Sequence, residues 1–434
     1  MGTATKGRET KQRPALEEKL YKRELHRPSA ILYWILMLVI FFLNKKTRTH
    51  FTYKAKPSRE KDPFILISNH ASRVEYQFTA PVCLPKRLNY VVGFNEFFRF
   101  PLSVVLKTMQ VIPKKNFTPD IYAIQQIRRI IKHGGNVCIL PEGMSSITGM
   151  AQPIIPGGAK MIKKLGVPVY YTKISGAYLT YTKHCMDERP GRIDVVVDQM
   201  FTSEQLKEMT VEEIEDTINR LLAHDDYIWN KKEQVHFNGK GQMAKHLDDL
   251  LYMCPKCGAM HRMKTYGNTM ECLECGNKVE LDDCYNLKPI GKDSQCPPLV
   301  TDWTILERER ARKDIQNPDF TFSENVKVGT LPKHHLLKHA DTSEITGEGV
   351  LTLNHEGLWF KGTNEGKPFE FHLPTDLVFT YGMCTDITRF YTFVDGQFIE
   401  FYPTRNDVLR WFHLTEEMHR LHGGVWKDTP YRHC

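Results

Sequence analysis

Two short knuckles constrain what this chain can fold into more than any other feature. They are Cys254-Pro255-Lys256-Cys257-Gly258 and Cys272-Leu273-Glu274-Cys275-Gly276, with 14 residues between the inner cysteines. Paired thiolates at this spacing close a tetrahedral site and leave no position for water or substrate, so the ion they imply, Zn2+, is structural. The glycine after each pair lets the backbone turn tightly around the sulfurs, and Tyr266-Gly267-Asn268 supplies a hairpin tip between them. The expectation is a small zinc ribbon over 250–285. With 11 cysteines in all, an odd number, a reducing compartment fits better than a disulfide framework.

The charge upstream is uneven. The whole chain carries +8, yet residues 1–60 alone hold 14 Lys and Arg against 5 Asp and Glu, so everything that follows is close to neutral. A nucleic-acid-binding body would carry its positive charge on its folded face, so no nucleic-acid partner is expected. The basic segment surrounds an apolar run at 30–43, flanked by Lys22, Arg23 and Arg27 before it and by Lys45, Lys46 and Arg48 after it. As a helix that run is about 21 Å long, short of a hydrocarbon core of about 30 Å. Cations at both ends want the same anionic surface, which predicts a monotopic membrane-docking helix, on the cytoplasmic face, with Tyr33 and Trp34 at the interface and membrane lipids as partner. A single short span and a buried core helix remain as alternatives.

Between 61 and 230, apolar strands alternate with amphipathic segments, the pattern of an α/β layer fold. Segments 64–68, 88–92, 137–140, 167–171 and 193–197 read as strands. Residues 120–133 read as a helix with Ile121, Ile124, Ile127 and Ile131 on one face, ended by Gly134 and Gly135. One long acidic helical stretch is expected over 203–223, with a capping box at Thr210 and Glu213. Past the ribbon, 286–340 reads as a linker, with a charged run at 307–313 that is either part of it or an exposed helix. Over 341–425 the pattern changes to short strands closed by a helix, a mostly-β domain that resembles the pleckstrin-homology and GRAM type of barrel.

Asn69-His70-Ala71-Ser72-Arg73-Val74-Glu75 follows the first strand of the α/β region, where such folds expose reactive groups. If the turn folds back, Glu75 accepts from one imidazole nitrogen of His70 and leaves the other to take a proton from a hydroxyl. Ser72 and Glu75 also fit a capping box, which would make Glu75 an ordinary residue of a helix's first turn. Three further segments accompany this one. They are Gly93-Phe94-Asn95-Glu96-Phe97 with Pro101 and Val111-Ile112-Pro113-Lys114; Leu140-Pro141-Glu142-Gly143-Met144-Ser145-Ser146; and Gly158-Ala159 ahead of Gly166-Val167-Pro168-Val169. In order and separation the four blocks resemble those of the glycerolipid acyltransferase family, whose best-known member acylates 1-acylglycerol 3-phosphate, over residues 60–200.

The resemblance implies an O-acyltransferase in phospholipid biosynthesis, with acyl-CoA or acyl carrier protein as donor and a lysophospholipid as acceptor. It implies His70 as the general base, Glu75 as its orienting carboxylate, Glu142 and Gly143 at the acceptor site, and an N-terminal membrane-docking helix. Three departures bear on the acceptor. The family usually has Asp where Glu75 stands; Met144-Ser145-Ser146 replaces its Thr-Arg-Ser, so Ser145 takes the place of the arginine that grips the acceptor phosphate; and Lys114 matches the arginine of the second block, as a point charge without the bidentate fork. Lys114 and Lys115 could equally be a solvated surface pair. The alternative function is a catalytically weak lipid-binding or scaffold protein on the same fold.

Overall fold

Residues 64–67 are apolar at every position, so a strand made from them has to be covered on both faces. Ile65 and Ile67 enter one core layer with Ile127, Ile162 and Ile218, while Phe64 and Leu66 enter another with Phe78, Ile174 and Val195. The structure, a computed structural model, describes residues 15–383 and 386–431; residues 1–14 of the basic segment lie outside the described residues.

In chain order, α1 (Leu16–Tyr21) and α2 (Ala30–Lys46) lead into β1 (Thr49–Tyr53), β2 (Ile65–Ser68), α3 (Tyr76–Thr79), β3 (Leu88–Gly93), α4 (Leu102–Thr108) and β4 (Ile112–Lys114). Next come α5 (Ile121–Lys132), β5 (Asn136–Ile139), α6 (Gly158–Leu165), β6 (Val169–Ser175), α7 (Ala177–Thr180) and β7 (Ile193–Phe201), then α8 (Ser203–Glu208), α9 (Val211–Leu222) and α10 (Asp226–Glu233). The strands form one sheet in the order β1-β7-β6-β2-β5-β3-β4. From β6 to β4 all neighbours are parallel, whereas β7 runs antiparallel to β6 and carries β1 alongside it. The carboxyl ends of β2, β5, β3 and β4 therefore share one edge, and His70, Glu142, Phe94 and Lys114 all stand on it.

The chain continues through α11 (Leu247–Leu250) into an antiparallel ribbon of β8 (Met263–Tyr266), β9 (Thr269–Cys272), β10 (Lys278–Leu281) and β11 (Leu287–Pro289). After α12 (Val300–Asp314) comes a six-stranded antiparallel sheet, β12 (Thr321–Thr330), β13 (Glu344–Asn354), β14 (Gly357–Asn364), β15 (Lys367–Pro374), β16 (Phe390–Val394) and β17 (Gln397–Pro403), closed by α13 (Val408–Leu421). One core runs from Met144 and Ile147 of the α/β part through Cys254 and Met270 of the ribbon to Trp303, Phe401 and Trp411.

Four expectations need correction. Segment 286–340 is not a linker, because Trp303, Glu307 and Ala311 of α12 are buried and β12 already begins the C-terminal sheet at Thr321. Trp303 Nε1 donates to the Met253 carbonyl at 2.7 Å, and Arg308 pairs with Glu416 (2.6 Å) and Glu417 (3.2 Å) on α13. The run is helical, and Arg308 has its partners on a distant element, while Glu309, Arg310, Arg312 and Lys313 are exposed. On α5, Ile127 and Ile131 are covered as expected, but Ile121 and Ile124 are exposed, and Ala123, Gln126 and Ile130 complete the covered face. The chain between α1 and α2 lies along that face, where Gln126 accepts from the Leu25 N–H and Tyr122 donates to the carbonyls of Leu20 and Arg23. The stretch 203–223 is two helices, each opened by its own capping box, Thr202 with Gln205 and Thr210 with Glu213.

The fourth correction concerns α2. Tyr33 does not face an interface; it is buried with Met37, Ile40 and Asn44, a stripe at helical spacing that packs on the α/β domain. Asn44 donates from Nδ2 to the Gln77 carbonyl at 2.9 Å. The rest of the helix is bare, with Ile31 75% exposed, Leu38 62% and Phe41 63%. Among the described residues no helix is long and apolar enough to cross a membrane.

Candidate active site

The turn after β2 is held on several sides. Asn69 donates from Nδ2 to the Ile174 carbonyl and accepts from the Ile174 N–H, both at 2.8 Å, which fastens the end of β2 to β6. The His70 N–H donates to Glu142 Oε1 at 2.7 Å, and the His70 carbonyl accepts from the Ser146 N–H at 2.7 Å. The second Glu142 oxygen accepts from the Gln152 N–H at 2.9 Å. Glu142 is fully enclosed. Burial pushes its pKa up to about 7, against the hydrogen bonds from Gln152 and His70 and the nearby imidazole, with Glu75 adding a smaller upward push.

Glu75 folds back as the turn requires. Its Oε1 lies 3.2 Å from His70 Nδ1 and also accepts from the Ser72 N–H. The imidazole contact has the length of an ion pair without the alignment of a full hydrogen bond, a geometry that acid–base pairs adopt before substrate closes on them. The Glu75 side chain is 4% exposed and the His70 side chain 18%, so the carboxylate is sealed while part of the ring stays open. Helix α3 starts at Tyr76, which makes Glu75 its N-cap, yet the side chain makes no bond to the helix. It is directed at His70 and Ser72 instead. A carboxylate on one ring nitrogen, with the other nitrogen left for a hydroxyl, is the arrangement of a general base and its orienter.

The other expected residues are placed less simply. Gly143 has φ +76° and a Cβ there would meet Ile155 at 3.1 Å and the Phe117 ring at 3.3 Å, so the glycine serves the turn and its packing. Lys114 ends β4; Nζ donates to the Lys115 carbonyl at 3.1 Å, and burial lowers its pKa while Asp120 opposes that. Lys115 is not a solvated partner to it, because its Nζ donates to the Gly396 carbonyl at 2.7 Å and pairs with Glu17 at 2.9 Å. Ser145 is buried, and the Ser146 hydroxyl is taken up by the Met150 carbonyl and the Gly149 N–H.

Away from this edge, the four knuckle cysteines converge so that all four sulfurs lie within 4.8 Å of one another. Cys254 and Cys275 are 3.7 Å apart, Cys257 and Cys272 3.8 Å. Four sulfurs each about 2.3 Å from a common ion would sit about 3.8 Å apart at the corners of a tetrahedron. The residues present therefore fit a four-coordinate metal. Gly258 and Gly276 have φ near +70° (+73° and +68°), as the tight turns demand.

Residues 50–174 match the family model described as Acyltransferase, a span that runs from β1 to β6 and contains His70, Glu75, Lys114, Glu142, Gly143 and Ser145. The matched segment is the one that holds the four blocks. Among solved structures, the 1-acyl-sn-glycerophosphate (LPA) acyltransferase PlsC from Thermotoga maritima aligns at 15% identity, over 44% of this chain and 79% of its own, with a TM-score of 0.36. No curated protein matches the chain significantly.

Two features of the site carry no sequence signal in isolation. One is the double hydrogen bond of Glu142 between two loops. The other is Phe117, which lies against Gly143 on one side and packs on Phe379, from the C-terminal sheet region, on the other, with ring centroids 5.7 Å apart. Phe117 sits three residues beyond Lys114, the end of the second block, and its partner is more than two hundred residues away.

The raised Glu142 pKa makes a test. A carboxylate whose folded pKa lies above its unfolded value favours the folded state below the unfolded pKa of 4.5 and loses that contribution as pH rises through about 7. Urea unfolding of the wild type should therefore lose about 3 kcal/mol between those limits relative to Glu142→Gln, whose side chain does not titrate. Parallel pH profiles for the two proteins would show that Glu142 is not perturbed.

Proposed function

We propose that the protein is a glycerolipid O-acyltransferase that moves an acyl group from acyl-CoA or acyl carrier protein to the free hydroxyl of a lysophospholipid, with 1-acylglycerol 3-phosphate as the simplest acceptor. The observation that carries this reading is the His70–Glu75 pair on the carboxyl edge of the sheet, inside the segment that matches the acyltransferase family. In the proposed reaction, His70 Nε2 takes the proton from the acceptor hydroxyl as its oxygen attacks the thioester carbonyl. Glu75 holds Nδ1 protonated and offsets the charge of the imidazolium. Collapse of the tetrahedral intermediate breaks the carbon–sulfur bond, and the imidazolium returns its proton to the departing thiolate. Lys114 supports the acceptor phosphate as a buried cation, in place of the arginine that Ser145 replaces.

Two accompanying readings follow from surfaces and donors already described. The bare apolar residues of α2, with Val104 and Val105 of α4 each 51% exposed, favour a helix laid into one leaflet on the cytoplasmic side, where both donors and an apolar acceptor meet. The Cys254, Cys257, Cys272 and Cys275 set favours Zn2+, which would hold the ribbon together and take no part in transfer. The C-terminal sheet with its closing helix keeps its likeness to the PH and GRAM type as a reading of pattern.

With labelled acyl donor and a panel of detergent-dispersed lysophospholipids, the intact protein should form diacyl product and His70→Ala should lose roughly 100- to 10,000-fold of the rate. Silence of the folded wild type with every donor and acceptor would sink the enzyme reading and leave a lipid-binding scaffold in its place. On vesicles containing anionic lipid, the wild type should float and the doubly substituted Phe41→Asp, Phe42→Asp protein should stay behind, since both side chains are exposed and their loss leaves the core intact. Equal flotation would remove α2 as the docking element. Elemental analysis should find one zinc per chain, lost in Cys272→Ser; a wild type purified without bound metal and unchanged in melting temperature when zinc is added would exclude the structural ion.

A further inference from the structure

The segment between β4 and α5 follows directly on Lys114, and three successive residues of it are engaged by the C-terminal sheet region. Lys115 Nζ donates to the carbonyl of Gly396 in the β16–β17 turn at 2.7 Å and lies over the Phe393 ring, 5.7 Å from its centroid. Asn116 Nδ2 donates to the Tyr391 hydroxyl at 3.3 Å. Phe117 packs edge-on against Phe379, which in turn packs on Trp426 at 5.2 Å between centroids. The other side of the Phe117 ring faces Gly143, so this ring is clamped between the Pro-Glu-Gly turn and the C-terminal domain.

The loop after β3 is gripped in the same way. The Leu337 N–H donates to the Phe98 carbonyl at 2.7 Å, and the Phe100 N–H donates to the Leu337 carbonyl at 2.9 Å. Buried Arg99 donates from Nε to the His339 carbonyl at 3.1 Å. The turn that carries His70 and Glu75 is held differently, from within the α/β domain, by Glu142 and by Arg73 on the carbonyls of Thr182 and Met186.

We propose that the C-terminal sheet is part of the acceptor side of the active site, with Lys115 and Phe379 as positioning residues that hold the Lys114 segment and the Pro-Glu-Gly turn in register with the base. This rests on the acyltransferase reading given above. The base is assembled by one domain and the acceptor wall by two, so the two halves of the reaction respond separately to changes at the contact.

The experiment uses the full chain with Lys115→Met, Lys115→Arg and Phe379→Ala, and two readouts. In steady-state transfer, Lys115→Met and Phe379→Ala should raise the acceptor KM about tenfold or more while the donor KM stays put, because a misplaced positioning group is felt where it aims the substrate. Lys115→Arg, which keeps the charge and the donor, should recover most of that loss. In native hydrogen exchange, amides of 112–118 should open faster in Lys115→Met and Phe379→Ala, and amides of 65–70 should not. Donor and acceptor KM moving together, or neither moving, would overturn the proposal. If the wild type transfers to no lysophospholipid, the acyltransferase reading fails on its own, and unchanged exchange at 112–118 would then overturn the clamp as well.

Discussion

Both oxygens of the Glu142 carboxylate are spent on backbone N–H groups, those of His70 and Gln152, and no water-exposed surface remains to share the charge. The cost of burying that group is offset by those two bonds, one to the turn after β2 and one within its own loop, and they act together with the Ser146 N–H bond to the His70 carbonyl. One loop carries the candidate base. The other runs on through Ser145 and Ile147 toward the ribbon and α13. The third-block glutamate that the resemblance puts at the acceptor site is thus also a tie between the turn that carries His70 and the loop after β5.

Much of this was legible in the sequence where the chemistry is local. The strand at 64–68 shows itself because a parallel strand covered on both faces is apolar almost throughout, while that at 193–197 is read from alternation, with Ile193, Val195 and Val197 buried and Asp194 and Val196 half-buried between them. The Cys254, Cys257, Cys272 and Cys275 set is legible because its spacing leaves one way to bring four sulfurs together. The five-residue separation of His70 and Glu75 allows a fold-back across the turn, and the structure shows it over the capping alternative. What stayed hidden depends on distant partners. Arg308 reads as surface charge until Glu416 and Glu417 are brought to it. The exposed Ile121 and buried Gln126 of α5 reverse their sequence-level roles because the α1–α2 connection lies across the helix. Lys115 gives no sign in the chain that its charge will be spent on Gly396 and Glu17.

Substitution of the third-block arginine by Ser145 is matched by burial rather than by a new cation at the same place. Met144 enters the shared core and Ser145 is buried beside it, and on the proposed reading the cationic duty on this edge falls to Lys114, whose own burial weakens its hold on a proton. A point charge in a partly desolvated setting attracts an anion more strongly than the same charge in water, and discriminates less by shape than a planar fork. The aromatic contact of Phe117 with Phe379 then supplies, on the proposed reading, the shape that the lost fork would have given.

The continuity of the core has a consequence for how the chain is made. Met144 and Ile147 share their core with Trp303, Phe401 and Trp411, so apolar residues beside the candidate base lack part of their cover until a stretch roughly 270 residues further along has been synthesised. At roughly 5–20 residues per second, that is a wait of tens of seconds. The α/β sheet can form early from its own strands, but the loop after Pro141 lacks part of its cover until α13 leaves the ribosome. During that interval the nascent chain would carry a formed sheet and an unfinished cleft, and any activity that depends on the cleft would begin only once α13 has been made and packed.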